Sequence, residues 1–267
     1  MKRIRTLPFL AVLAILLLSL PASAFSMRYS YLPYIANQTA ETNLALQNPG
    51  FEGGFREVDG IAELKVGTGW QPWWDESARR PEFKLATLSV DARRVRSGSN
   101  AQQWFTLYDT HTAGIYQRVS GVPVGKTLVF EAWVQAFSSG ADNFDHSDGR
   151  YRMRIGIDPY GGVDPESTDI VWSNGGNAIQ PYDQYYFLEV ETPARSDRVT
   201  VYVWGQAEWA LKHNDAYCDD LRLYVIDDGE GTPVPTGVTE ERVREIVREE
   251  MAAAVRAWAD ALQAQQP

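Results

Sequence analysis

Four stretches of the chain alternate apolar and polar residues with a period of two. Leu128, Phe130, Ala132 and Val134 interleave with Val129, Glu131, Trp133 and Gln135, and Tyr151, Met153, Ile155 and Ile157 interleave with Arg150, Arg152, Arg154 and Gly156. Val199, Val201 and Val203 alternate with Thr200, Tyr202 and Trp204, and Leu221, Leu223 and Val225 with Asp220, Arg222 and Tyr224. Such alternation puts one set of side chains in a core and the other on a sheet face. Further strands are expected near 44–47, 83–90, 101–107, 113–119, 169–173 and 184–192, separated by turn-forming clusters such as Ser138–Gly149 and Pro159–Asp164. No helical period interrupts them. The pattern predicts an all-β, two-sheet sandwich over 42–226, with a jelly roll as its topology.

The flanks read differently. Lys2, Arg3 and Arg5 precede an apolar run from Leu7 to Leu20, and Ala22-Ser23-Ala24 fits a small-residue cleavage site, so residues 1–24 are expected to be an export signal. Residues 25–41 read as a spacer and 227–238 as an acidic linker rich in Pro and Gly. Beyond the linker the period changes to that of a helix over 239–264. Thr239 can cap it, Glu240 and Glu241 suit its first turn, and Val243, Ile246, Val247, Met251, Val255, Trp258 and Leu262 form an apolar stripe. That stripe asks for a cover: the sandwich, a second copy or a partner protein.

The formal charge is −10, and loss of the signal's Lys2, Arg3 and Arg5 leaves −13. This excludes nucleic acid as an expected partner, because phosphate binding needs clustered Lys and Arg. The one cysteine, Cys218, rules out an internal disulfide, and its position in a strand suggests a packed thiol. Stability has to come from the core.

Two short motifs carry a resemblance. Asn48-Pro49-Gly50-Phe51-Glu52 near the start of the domain and Tyr217-Cys218-Asp219-Asp220-Leu221-Arg222-Leu223 at its end resemble the two ends of bacterial carbohydrate-binding jelly rolls of the cellulase-associated type. Between them, Gly69-Trp70, Arg96-Ser97-Gly98, Gly114-Ile115-Tyr116-Gln117 and Thr127–Val134 follow in the family's order. The resemblance implies a structural calcium ion held by Glu52 and a last-strand aspartate, with backbone oxygens near Ser97 completing the site. Parity with Leu221 and Leu223 points Asp219 inward, where a carboxylate needs a partner, and so favours it over Asp220. The stretch Ile155–Pro165 followed by Val171-Trp172-Ser173 also resembles exported bacterial proteins of unassigned function.

A glycan site needs aromatic faces for sugar C–H surfaces, and amide, carboxylate or guanidinium groups for the hydroxyls. The expected cleft carries Trp104, Trp133, Gln135, Arg152, Arg154, Tyr202, Trp204 and Gln206, with Trp70, Trp73 and Trp74 as a second, loop-borne platform. Enzyme signatures are missing: there is no His-Glu-x-x-His, no Gly-x-Ser-x-Gly and no phosphate loop, and His111, His146 and His213 stand alone in polar loops. The expectation is a secreted, non-catalytic module that binds polysaccharide or cell-surface glycan, steadied by calcium. Its rival is an exported scaffold or adhesive protein that self-associates or docks a partner through 239–264.

Overall fold

The structure, a computed structural model, describes residues 40–142 and 146–227. The expected signal, most of the spacer, the acidic linker after Asp227 and the C-terminal helix lie outside the described residues. Among the described residues no helix is long and apolar enough to cross a membrane.

Thirteen strands account for the described fold: β1 (Ala40–Leu44), β2 (Phe55–Val58), β3 (Ile61–Gly67), β4 (Gln71–Trp74), β5 (Glu82–Thr87), β6 (Asn100–Thr106), β7 (His111–Ser120), β8 (Thr127–Ser139), β9 (Tyr151–Asp158), β10 (Val171–Trp172), β11 (Tyr186–Pro193), β12 (Arg198–Ala207) and β13 (His213–Asp227). They make two sheets. The eight-stranded sheet runs β11-β8-β13-β6-β5-β3-β2, with β1 also paired to β13; the five-stranded sheet runs β10-β9-β12-β7-β4. The neighbouring pairs are antiparallel except β3 with β5.

The alternation read from sequence fills the space between the sheets. Leu128, Phe130, Ala132 and Val134 of one sheet are buried with Met153, Ile155, Ile157, Val199, Val201 and Val203 of the other in one continuous core. Segment 55–74, expected as loop, instead supplies three strands. Its hairpin turns at Asp59 and Gly60, both at positive φ (54° and 72°), and its outward Glu57, Ala62 and Glu63 blur the period.

Trp104 is a correction. It was expected on a binding face, but it is fully buried in the core, stacked on Phe83 with ring centroids 6.3 Å apart. Trp70 is likewise buried there, against Phe51 at 6.0 Å.

β13 is the spine of the larger sheet and breaks phase midway. Its register with β8 shifts between Asp219 and Arg222, and Asp220 takes a positive φ of 49°. The extra residue reverses which side successive side chains face. Ala216 and Cys218 point into the core before the bulge, and Leu221, Leu223 and Val225 after it. Asp219 pairs across the sheet with Trp133, so it faces outward. The inward reading from parity fails because parity was counted through the bulge.

His111, expected in a polar loop, opens β7 and is buried. Its ring meets Thr106 Oγ1 at 2.9 Å and Tyr151 Oη at 2.7 Å. Burial pushes the imidazole from 6.5 down to about 3. The unfolded chain therefore binds a proton that the folded chain refuses, so this contribution is full above pH 6.5 and is lost as pH falls toward 3. Between pH 6.5 and 5 the wild type is expected to lose about 2 kcal/mol from this group, at roughly 1.4 kcal/mol per pH unit. Denaturant melts of wild type and His111→Gln at both pH values check it: the variant's stability should change less over the interval, and equal changes would contradict it.

Candidate functional site on the five-stranded sheet

Cross-strand register lines up aromatic and polar side chains on the outer face of the five-stranded sheet. In one row Trp73 pairs with Gly114, Gly114 with Trp204, and Trp204 with Arg154. In the next, Tyr116 pairs with Tyr202, Tyr202 with Gly156, and Gly156 with Trp172. A third holds Thr112, Gln206 and Arg152. Trp73 and Tyr202 are buried under this layer, while Tyr116, Trp172 and Trp204 are half-buried against them.

Two glycines on this face leave space that a side chain would fill. A Cβ on Gly156 would stand 2.6 Å from Trp172 Cε3, and one on Gly114 would stand 3.1 Å from Trp73 Nε1 and 1.8 Å from the carbonyl oxygen of Val203. The 2.6 Å and 1.8 Å contacts are shorter than real Cβ atoms make, so Gly156 makes room for the Trp172 ring and Gly114 for the backbone of the neighbouring strand.

Arg154 is gripped within it. Its guanidinium carbon lies 4.1 Å from the Trp172 ring centroid and 4.5 Å from that of Trp204, and Nη1 donates to the Gly176 carbonyl at 3.1 Å. A guanidinium between two indole faces is held by its charge against both π systems, each contact contributing about 0.5–2 kcal/mol. Partial burial lowers its pKa from the usual arginine range, and the guanidinium stays charged at physiological pH. Tyr116 and Tyr202 stack at 5.7 Å, and Tyr202 Oη donates to the Gly162 carbonyl at 2.8 Å.

The aromatic layer runs into a polar groove of about 430 Å³ whose lining includes Asp75, Thr112, Arg152, Gln206 and Glu208. Gln206 donates to Thr112 Oγ1 at 3.2 Å, and Arg152 Nη2 reaches Gln206 Oε1 at 3.0 Å and Glu208 Oε2 at 3.3 Å. Nε of Arg152, Nε of Arg154 and Nε1 of Trp73 are buried and have no hydrogen-bond partner. Each such donor costs about 1–3 kcal/mol when left unmade.

The expected cleft therefore divides. Arg152, Arg154, Tyr202, Trp204 and Gln206 share this face, whereas Trp133 and Gln135 lie on the outer face of the other sheet, since β8 belongs to it. Trp133 is covered by Arg96, 4.2 Å from its ring, and Gln135 is buried as the acceptor for Arg94. Trp73 comes from β4, not from a loop platform, and Trp172 from the two-residue β10. Reading alternation on β4 would have found Trp73. β10 falls within the strand expected near 169–173, but the expected cleft omits Trp172, because nothing in the sequence says that this strand pairs with β9.

Glu52, Asp219 and Ser97 do converge, at the loop joining β5 to β6. Glu52 accepts from the backbone N–H of Ser99 at 2.7 Å and of Asn100 at 2.8 Å, and from Asn100 Nδ2 at 2.8 Å. Asp219 accepts from the N–H of Arg96, Ser97 and Asp220 at 3.0, 3.2 and 2.8 Å. Burial pushes its carboxyl up to about 7 against those bonds. A carboxylate has about four lone-pair directions. Glu52 and Asp219 each use three, while Asp220 uses one, for the Ser97 hydroxyl at 2.7 Å. The oxygens are of the hard kind calcium takes, and Asp220 retains more capacity than Asp219. Among the described residues no three His, Cys, Asp or Glu side chains are grouped to hold a metal ion, so backbone and hydroxyl oxygens would have to complete a shell.

No protein-family model matches the sequence, and no curated protein does. Among solved structures, the chain is similar to TmCBM61 in complex with β-1,4-galactotriose, at a TM-score of 0.45 and 17% identity over 69% of this chain and 99% of that one. It is similar to a Stig cyclase, Fisc, from Fischerella sp. TAU, at a TM-score of 0.45 and 12% identity over 70% and 98%. A third is the CBM22-1 xylan-binding domain from Paenibacillus barcinonensis, at 0.37 and 12% over 66% and 91%. A binding module and a cyclase stand at the same score, so likeness does not choose a function.

The layer's dependence on bare backbone is testable. Gly156→Ala is expected to cost roughly 1–3 kcal/mol by overpacking and to shift tryptophan emission as Trp172 lifts. In a Trp172→Ala background the same substitution should cost less. Equal costs in the two backgrounds, measured by denaturant melts, would mean that Trp172 does not rest on Gly156.

Proposed function

We propose that the protein is an exported, non-catalytic jelly-roll module that binds polysaccharide across the outer face of its five-stranded sheet. The observation that carries this reading is the Trp172–Arg154–Trp204 stack beside the Thr112–Gln206–Arg152 row. Half-buried indole faces suit the C–H surfaces of sugar rings, and the amide and guanidinium row suits their hydroxyls. The stack is fixed before any ligand arrives, which limits the ordering cost of binding.

Retention on immobilised or gel-embedded polysaccharides tests this reading. Trp204→Ala and Trp172→Ala are each expected to weaken retention at least tenfold, the scale of removing a binding hot spot, with melting temperature largely kept. Trp133→Ala, on the opposite face, should leave retention unchanged. Lack of retention of the wild type across a broad panel would overturn the reading in favour of a scaffold working through 239–264.

The same reading includes a structural calcium ion at the junction of Glu52, Ser97 and Asp220, where it would tie the start of the domain to its last strand. Metal-stripped protein is expected to melt higher in calcium than in chelator, since a ligand of the folded state stabilises it by about 2.7 kcal/mol at a hundredfold excess over its dissociation constant. Asp220→Asn should remove the difference. Superimposable melts of the wild type in calcium and chelator would remove calcium from the account.

A further inference from the structure

A groove of about 740 Å³ lies on the opposite side of the sandwich, over the outer face of the eight-stranded sheet. Its floor is a buried polar set. Gln103 Nε2 donates to Asp215 Oδ1 and to Tyr217 Oη, and all three residues are buried. Asp215 Oδ2 is buried with no hydrogen-bond partner. A buried carboxyl oxygen ordinarily has one, so the floor is an acceptor short of a donor.

The cations of the groove are not equivalent. Arg94 is held by Gln135 at 3.2 Å and Asp91 at 3.6 Å, Arg93 is paired with both Asp91 oxygens at 3.0 Å, and His213 Nε2 meets Asp142 Oδ1 at 2.9 Å. Lys84 lies 4.4 Å over the ring of Phe105 and makes no ion pair among the described residues. At the rim Val90 and Leu107 are 87% and 48% exposed. One uncommitted ammonium suits a single carboxylate; phosphate recognition ordinarily draws on several donors or a guanidinium fork. The unpaired acceptor suits a hydroxyl, and the apolar rim suits a C–H surface.

We propose that this groove is a second carbohydrate site, selective for a sugar bearing a carboxylate. Lys84 pairs with the carboxylate, Asp215 accepts from a hydroxyl, and Val90 and Leu107 meet the ring's C–H face. The site does not depend on the aromatic layer of the other sheet.

Calorimetric titration with a short oligogalacturonate and with its methyl ester tests the proposal, because the ester keeps the skeleton and removes the charge. The wild type is expected to bind the acid at least tenfold more tightly than the ester. Lys84→Met, at an exposed position, should abolish that preference, and Trp204→Ala should leave it intact. Absence of acid binding, equal binding of acid and ester, an unchanged preference in Lys84→Met, or its loss in Trp204→Ala would each overturn the proposal. Asp215→Asn, with folding checked by melting, should weaken both ligands; unchanged binding by a folded variant would remove Asp215 from the site.

Discussion

The phase break in β13 is the constraint on which the larger sheet depends. Along one edge of β13, β6 pairs with Asn214–Cys218 and β1 with Leu223–Asp227. Between them is a gap at the bulge, where no neighbouring strand satisfies the backbone. Two loops close it: the Pro49 carbonyl accepts from Leu221 N–H at 3.0 Å, and the Asp219 carboxylate gathers the N–H groups at 96, 97 and 220. The bulge is thus a joint where the first and last parts of the domain meet, and it costs little because its polar groups are answered.

The five-stranded sheet is built on a different economy of space. Its outer face omits a Cβ at Gly156 so that the Trp172 ring lies close to the ladder, and it holds an arginine between that ring and Trp204. Buried donors without partners occur on that face, whereas the Glu52 and Asp219 carboxylates at the bulge junction have theirs.

Much of the sandwich was legible because β8, β9 and β12 obey a strict period of two, and burial enforces it. The site was legible only in part. Arg152, Arg154, Tyr202, Trp204 and Gln206 share a face because β9 and β12 are neighbours, but no sequence pattern says which sheet a strand joins. Trp133 and Gln135 sit on β8, whose polar side faces the other way out of the sandwich. Trp104 misled because an indole on an alternating strand reads equally as core or cleft. Asp219 misled for a sharper reason: parity is a local count, and one left-handed residue resets it.

Sheet sandwiches have two outer faces whose normals point in opposite directions. The aromatic row and the Lys84 groove occupy one each, with the core between them. Were both proposed sites occupied at once, the module would join separate chains, and its hold on a dense polymer network would exceed what either face achieves alone.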